Sequence, residues 1–314
     1  MQASGTSAPL RGVSAESSKV VWASGAEGTW LRTVDGGATW HVAKVAGAEA
    51  LDFRGIRAFD ESRAVMMSSG PGDKSRIYRT TDGGKHWTLF FTNPDQTGFF
   101  DVITFWDAQH GIIGGDAVRN HMAIFATDDG GEHWVRQQGP EALAEEGAFA
   151  ASNSCLALQG NSEAWFATGG TGAARVFYSQ DRGWHWRVAT TPVRNDSATA
   201  GIFSLAFRDS RHGVAVGGDF KNDHEARQNI AVTADGGRTW IAPRGTPPAG
   251  YRSAVLYLSE RQAWIATGTT GSDISFDDGR SWKKFDDGPF NALGAGPGDA
   301  VWAVGPEGRI ARLR

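Results

Sequence analysis

One eight-residue pattern, Ser/Thr-x-Asp-x-Gly-x-x-Trp, occurs six times in this chain, at residues 33–40, 80–87, 127–134, 179–186, 233–240 and 275–282. Successive tryptophans stand 47, 47, 52, 54 and 42 residues apart. A period of that length marks a repeat architecture, in which each unit buries its apolar face against the next. Every position of the pattern has a physical task. The aspartate (Asp35, Asp82, Asp129, Asp181, Asp235, Asp277) accepts hydrogen bonds from amides of its own turn. The glycine permits a positive φ, and the hydroxyl offers a second local bond. The tryptophan (Trp40, Trp87, Trp134, Trp186, Trp240, Trp282) opens the next strand and wedges an aromatic plate between neighbouring units. Six copies of one acid in one turn type read as scaffold, not as catalysis.

More of the unit repeats. An apolar strand ending in glycine precedes the turn: VVWASG (20–25), GIIGG (111–115), AWFATG (164–169), GVAVGG (213–218), AWIATG (263–268) and VWAVG (301–305). Before it lies a strand ending in aspartate: FRGIRAFD (53–60), FFDVITFWD (99–107) and IFSLAFRD (202–209). Each unit thus reads strand A, strand B, strand C, turn, strand D, which is one blade of a β-propeller. After Trp282 a seventh A-B-C set follows, and residues 2–9 are the donor for its missing strand D. Pairing them closes the ring and hides its edges. The expectation is an all-β, seven-bladed propeller of four-stranded antiparallel blades in one domain. The blades fall at about 10–46, 52–92, 99–138, 153–190, 201–243, 251–286 and 290–314 with 2–9.

The 42 glycines agree with many tight turns. A net charge of −4 without a basic block argues against nucleic acid and against anionic membrane surfaces. No apolar run approaches the ~18 residues of a spanning helix. Cys155 is the sole cysteine, so no disulfide forms within the chain. There is no dinucleotide fingerprint, CxxC or CxxCH, and no cofactor is expected. His86, His133 and His185 each precede a turn tryptophan, so they repeat with the scaffold and lack zinc spacing. No metal is expected. The opening MQASGTSAPLRG has no signal-peptide regions, and export is expected if a signal has been removed before Met1. A monomer is expected.

The six turns resemble the Asp-box, or bacterial neuraminidase, repeats of sialidase-like propellers. TTDGG-x-x-W together with FRGIRAFD-type strands resembles the photosystem II stability/assembly factor family and its relatives in non-photosynthetic bacteria. The resemblance spans essentially the whole chain. It implies a non-enzymatic scaffold that, in phototrophs, binds a membrane-protein precursor.

In such a propeller the D-to-A and B-to-C loops meet on one face, around the channel. Aligning the A strands brings Arg11, Arg54, Asp101, Ser154, Phe203, either Arg252 or Ser253, and Asn291 to the hub. Buried charge needs partners, so Arg54 or Arg11 is expected to pair with Asp101. The B-to-C loops add Asp116, Arg119 and His121, then Arg175, then Asp219, Lys221, His224 and Glu225. Gly-Gly-Asp occurs in two of these loops, and its aspartate either caps the turn or faces a ligand. The 137–153 loop carries Glu141, Glu145 and Glu146, and its EALAEE is expected to form a helical turn over the mouth. Converging arginines suit an acidic small molecule, or an acidic or C-terminal peptide. The leading reading is a non-enzymatic binding scaffold using this face.

The alternative is a sialidase-like hydrolase or lyase acting on an acidic sugar. Arg11, Arg54 and Arg252 or Arg175 would clamp the carboxylate, Tyr251 with Glu145 or Glu146 would be the nucleophile, and Asp101 the acid. Arg57-Ala58-Phe59 stands where that family's Arg-Ile-Pro signature is expected, and does not replace it.

Overall fold

A computed structural model describes residues 1–313. Each repeat folds as an antiparallel meander whose strands hydrogen-bond in sequence order. Blade 1 is Leu10–Ala15, Val21–Gly25, Thr29–Thr33 and His41–Lys44. Blade 2 is Phe53–Ala58, Ala64–Ser68, Arg76–Thr80 and Thr88–Thr92. Blade 3 is Phe100–Phe105, Gly111–Val118, His121–Thr127 and Val135–Gln137. Blade 4 is Leu156–Gln159, Glu163–Ala167, Arg175–Ser179 and Arg187–Thr190. Blade 6 is Ala254–Leu258, Ala263–Gly268, Gly271–Ser275 and Lys283–Asp286.

Two blades vary the plan. In blade 5 (Ala200–Phe207, Gly213–Asp219, Ile230–Thr233) strand D shrinks to one bridge between Val232 and Ile241. Its strand A also reaches across to Gly169 of blade 4, which pairs in turn with Gly147. In blade 7 (Ala292–Gly296, Ala300–Val304, Ile310–Arg312) the outer place is taken by Gln2, whose amide donates to the Ile310 carbonyl at 2.8 Å. The N-terminal segment therefore closes the ring as expected, but through one bridge. Residues 4–8 turn onto their own hydroxyls instead, with the Ala8 amide donating to Thr6 Oγ1 at 3.1 Å. The seven A strands touch their neighbours in an unbroken cycle, blade 7 against blade 1 included.

Strand B of each blade is sandwiched between neighbouring blades and is buried along most of its length, so its sequence is a nearly continuous apolar run and not an alternation. Its tryptophans are the deepest. Trp22, Trp165, Trp264 and Trp302 are fully buried, and Trp22 and Trp165 donate to Asp60 and Gly236 carbonyls of the next blade. The turn tryptophans sit nearer the surface and do wedge between units. The Trp87 ring lies 6.0 Å from Trp22 and 5.8 Å from Trp30 of the preceding blade.

The repeated turns bond as their residue types demand. In blade 2 the Thr80 hydroxyl donates to Asp82 Oδ1 at 2.9 Å and accepts the Gly84 amide at 3.0 Å. Asp82 Oδ1 accepts the His86 amide at 3.0 Å. Gly84 has φ +85°, and a Cβ there would lie 2.2 Å from Trp30 Cη2. That glycine serves both the turn and the blade interface. The amide and ring of His86 hold the Asp82 pKa down at about 2.

Short polar side chains tie the inner strands into a ring. Asn153 brackets the Ile103 peptide, accepting its amide at 2.8 Å and donating to its carbonyl at 3.0 Å. Ser154 donates to Ser204 at 2.7 Å, and Ser204 accepts the Val255 amide at 2.9 Å. Ser253 donates to the Asn291 carbonyl, and Asn291 to the Leu10 carbonyl, both at 2.8 Å. The hub positions Ser154, Ser253 and Asn291 are thus ties between blades.

Candidate functional site at the channel mouth

Strand A of every blade enters from the loop face, which places Arg11 and Arg54 side by side at the mouth of the channel. They share one carboxylate, Asp52. Arg54 Nε donates to Asp52 Oδ2 at 2.8 Å, and Arg11 Nε stands 4.0 Å from the same oxygen. All three side chains are partly exposed. Arg11 Nε and Asp52 Oδ1 are buried atoms without a hydrogen-bond partner. Burial, and next the neighbouring Arg54 charge, push the Arg11 pKa down. Two guanidiniums on one carboxylate leave an excess positive charge facing the mouth.

The mouth is crossed by residues 149–153. Arg54 Nη1 donates to the Ala150 carbonyl at 3.2 Å, Ser152 Oγ donates to the Ser253 carbonyl at 2.6 Å, and Asn153 ties to Ile103. Phe149 stacks on Phe203 of blade 5 at 3.9 Å and 10°. One loop therefore contacts blades 2, 3, 5 and 6 and forms a plug. The segment expected to cover the mouth as a helical turn, EALAEE, lies to one side without a helix. Glu141 there bridges His121, and Glu146–Gly147 pairs with Gly169–Gly170.

The expected Arg54–Asp101 ion pair is not formed. Asp101 is buried, its Oδ2 without a hydrogen-bond partner, while Arg54 Nη1 goes to the Ala150 carbonyl instead. Burial, then the nearby Asp116 carboxyl, raise the Asp101 pKa well above the usual carboxylate range. Cys155 lies in the same buried pocket, its thiol pushed up by burial and then by Asp101.

Most other candidate residues are occupied in holding loops. Arg252 is fully buried, with Nε donating to Asp273 Oδ2 at 2.6 Å and Nη1 to the Tyr251 carbonyl at 2.7 Å, so Ser253 takes the hub position. Arg175 is clasped by Glu146, which also accepts the Thr168 hydroxyl at 2.5 Å. Of the two Gly-Gly-Asp aspartates only Asp219 caps its own turn, accepting the Lys221 amide at 3.0 Å and also the Thr199 hydroxyl at 2.7 Å; Asp116 instead holds the 137–153 loop, accepting the Ala148 amide at 2.9 Å. Arg119 sits at an exposed hairpin tip with φ +53°, and Lys221 is exposed on its loop. Tyr251 is buried edge-on against Phe203 at 4.7 Å, and burial pushes its pKa far up. Arg252, Arg175, Glu146 and Tyr251 are thereby taken from the clamp and nucleophile that acidic-sugar chemistry needs.

What remains open at the mouth is amphipathic. The Arg11–Arg54 pair lies on one side, close enough to Tyr251 for the two to interact electrostatically. On the other side Phe149 is half-buried and Phe220 exposed, with Phe203 and Tyr251 buried behind them; the Phe220 ring is 6.1 Å from Phe203. Solved propellers share this architecture. A structure of YCF48 bound to D1 peptide superposes with a TM-score of 0.70 over 100% of this chain and 93% of that one, at 16% identity. U3-55K follows at 0.65, over 95% and 89%, at 12% identity. The WD40 β-propeller domain of Doa1 follows at 0.63, over 98% and 93%, at 12% identity. No protein-family model matches the chain, and no curated protein matches it in sequence. At these identities the likeness establishes the fold.

Sequence reasoning missed Asp52 and the aromatic wall. Asp52 stands two residues before Arg54, and alternation along an extended segment puts both on one side, a signal that was available. Phe149 carried none, because its partner Phe203 is 54 positions away and belongs to another blade.

Proposed function

We propose that this protein is a non-catalytic binding propeller that holds an acidic peptide segment, or a peptide C-terminus, against its plugged channel mouth. The observation carrying this reading is the Arg11–Arg54 pair on the single carboxylate Asp52, with Arg11 Nε unpartnered. A ligand carboxylate would complete that pair through the forked geometry arginine offers. The adjoining Phe149, stacked on the buried Phe203, and the exposed Phe220 would take an apolar side chain. The plug keeps the ligand on the face, which suits an extended segment of a partner protein. YCF48, a propeller of like architecture, has been solved with a peptide bound, and this supports the class of ligand.

The test is fluorescence anisotropy with a labelled synthetic peptide of alternating leucine and aspartate, with a free or an amidated C-terminus. The free form is expected to bind. The Arg11→Gln/Arg54→Gln protein is expected to lose about tenfold or more, the worth of one charge-assisted contact. Equal binding by the double variant would remove the basis of the reading.

A further inference from the structure

On the opposite face, between blades 3 and 4, lies a groove of about 450 Å³ lined by Trp106, His110, Asp128, Val135, Arg182 and Trp184, with Gln137 at its base. The propeller makes an equivalent groove between blades 5 and 6, of about 230 Å³, and the two differ instructively. There Arg208 stands in the place of Trp106 and Arg280 in the place of Trp184, and Arg208 Nη2 reaches Asp278 Oδ2 across the blades at 2.9 Å. Between blades 2 and 3 a different pair, Arg79 of the third strand with Glu132 at the position of Trp184, bridges the blades at 3.1 Å. At two other seams, then, a charged side chain of the turn is spent on a bridge to the preceding blade, where the seam between blades 3 and 4 presents tryptophan.

Trp184 occupies the turn position held elsewhere by Ala38, Lys85, Glu132, Arg238 and Arg280. It is 61% exposed and stacks on no other ring among the described residues. Val135 beside it is equally exposed. A large aromatic left in water at a position that four of the five other turns fill with charge calls for an explanation. A second, independent sign is Gln137. Its side chain is only 7% exposed, it lines the groove, and its carbonyl oxygen has no hydrogen-bond partner. A buried amide oxygen in that state is costly unless something else satisfies it.

The rim supplies hydrogen-bonding groups of both kinds with no net charge. Asp128 is exposed and makes no ion pair among the described residues. Arg182 spends Nε on the Asn161 carbonyl at 2.7 Å and keeps its two terminal nitrogens. His110 is held by Asp107 through Nδ1 at 2.8 Å, which leaves Nε2. A flat aromatic plate beside a carboxylate, a guanidinium and an amide is complementary to a pyranose ring. The ring's C–H face stacks on the plate, and its vicinal hydroxyls both donate and accept. The volume lies within the range of small-ligand sites.

We propose that this groove binds a neutral oligosaccharide, with Trp184 stacking on one sugar ring and Asp128, Arg182 and Gln137 bonding its hydroxyls. The site is independent of the channel mouth. Isothermal titration with cellohexaose, mannohexaose and N-acetylchitohexaose is the test. At least one is expected to bind with a dissociation constant between about 10 μM and 1 mM. Trp184→Ala should weaken it about tenfold or more, Trp184→Phe should recover much of the loss, and Gln137→Leu should also weaken it. The exposed Trp184 variants should keep the wild-type melting temperature, and Arg11→Gln/Arg54→Gln should bind the sugar unchanged, which separates this site from the other face. No heat from any of the three probes up to about 5 mM would overturn the proposal, as would sugar binding that survives Trp184→Ala. Binding of the leucine–aspartate peptide that Trp184→Ala abolishes would assign the groove to a protein partner and overturn it too.

Discussion

Arg252 offers the sharpest test of whether an arginine near the hub is structural or ligand-facing. It is fully buried, and its guanidinium answers three groups: Asp273 through Nε at 2.6 Å, the Tyr251 carbonyl at 2.7 Å and the Thr270 hydroxyl at 2.9 Å. Nη2 lies 2.5 Å from the same Asp273 oxygen, off the hydrogen-bond direction. Arg252→Leu would leave Asp273 buried with only the Ala249 amide, at 3.3 Å, to offset its charge. Stranding a buried charge in this way costs about 3–5 kcal/mol, the lost neutral bonds included. At about 2.1 cal/mol/K per residue, 314 residues unfold with roughly 0.66 kcal/mol/K of entropy, so the melting temperature should fall by about 5–8 °C. Adding Asp273→Leu removes the stranded charge and should restore most of that loss, whereas a ligand-facing arginine would show no such coupling. Calorimetry and urea unfolding of the two single variants and the double variant form the cycle. Arg252→Leu melting within about 1 °C of wild type, or a double variant no better than the single, would refute the reasoning.

Two further outcomes follow from the packing. The Asp82 and Asp129 carboxyls are held at about 2 by hydrogen bonds in their turns, below their unfolded values. Their contribution is therefore present above about pH 4 and is lost as pH falls toward 2. Asp101 has the opposite sign. Its folded pKa is raised, so the folded state binds the extra proton and stability falls as pH rises from about 4 toward that pKa. Melting temperature should pass through a maximum on the acidic side of neutrality, and Asp101→Asn should flatten the neutral limb; an unchanged limb would refute this assignment. At the turns, Gly84→Ala and Gly47→Ala carry similar positive φ, but only Gly84 faces a tryptophan at 2.2 Å, while Gly47 faces open space. The first should cost about 2–4 kcal/mol and the second about 1 kcal/mol in urea titrations; equal costs would show that blade packing does not constrain the turn.

The repeat was legible because its bonds are local. Thr80, Asp82, Gly84 and His86 bond one another within four positions, so spacing along the chain is spacing in space, and Trp87 follows from the same register. Blade number and ring closure then came from counting, and the structure has seven blades with Gln2 at the seam. Arg11 and Arg54 were placed at the mouth by alignment of equivalent strands. The choice between Arg252 and Ser253 was not available, since a shift of one residue along a strand exchanges its two faces.

The sequence by itself determined the propeller, because each blade is written in a pattern of residues only a few positions apart and is repeated until chance is excluded. Only the tertiary structure decided what the hub is. Arg54 meets the Ala150 carbonyl 96 positions away, Ser152 meets Ser253 across 101, and the plug they hold turns an open channel into a capped face. Contacts of that span depend on the angle and height at which whole blades pack, which no local pattern encodes. The same packing hides Arg252, shares Asp52 between two arginines, and leaves Trp184 in water on the far side.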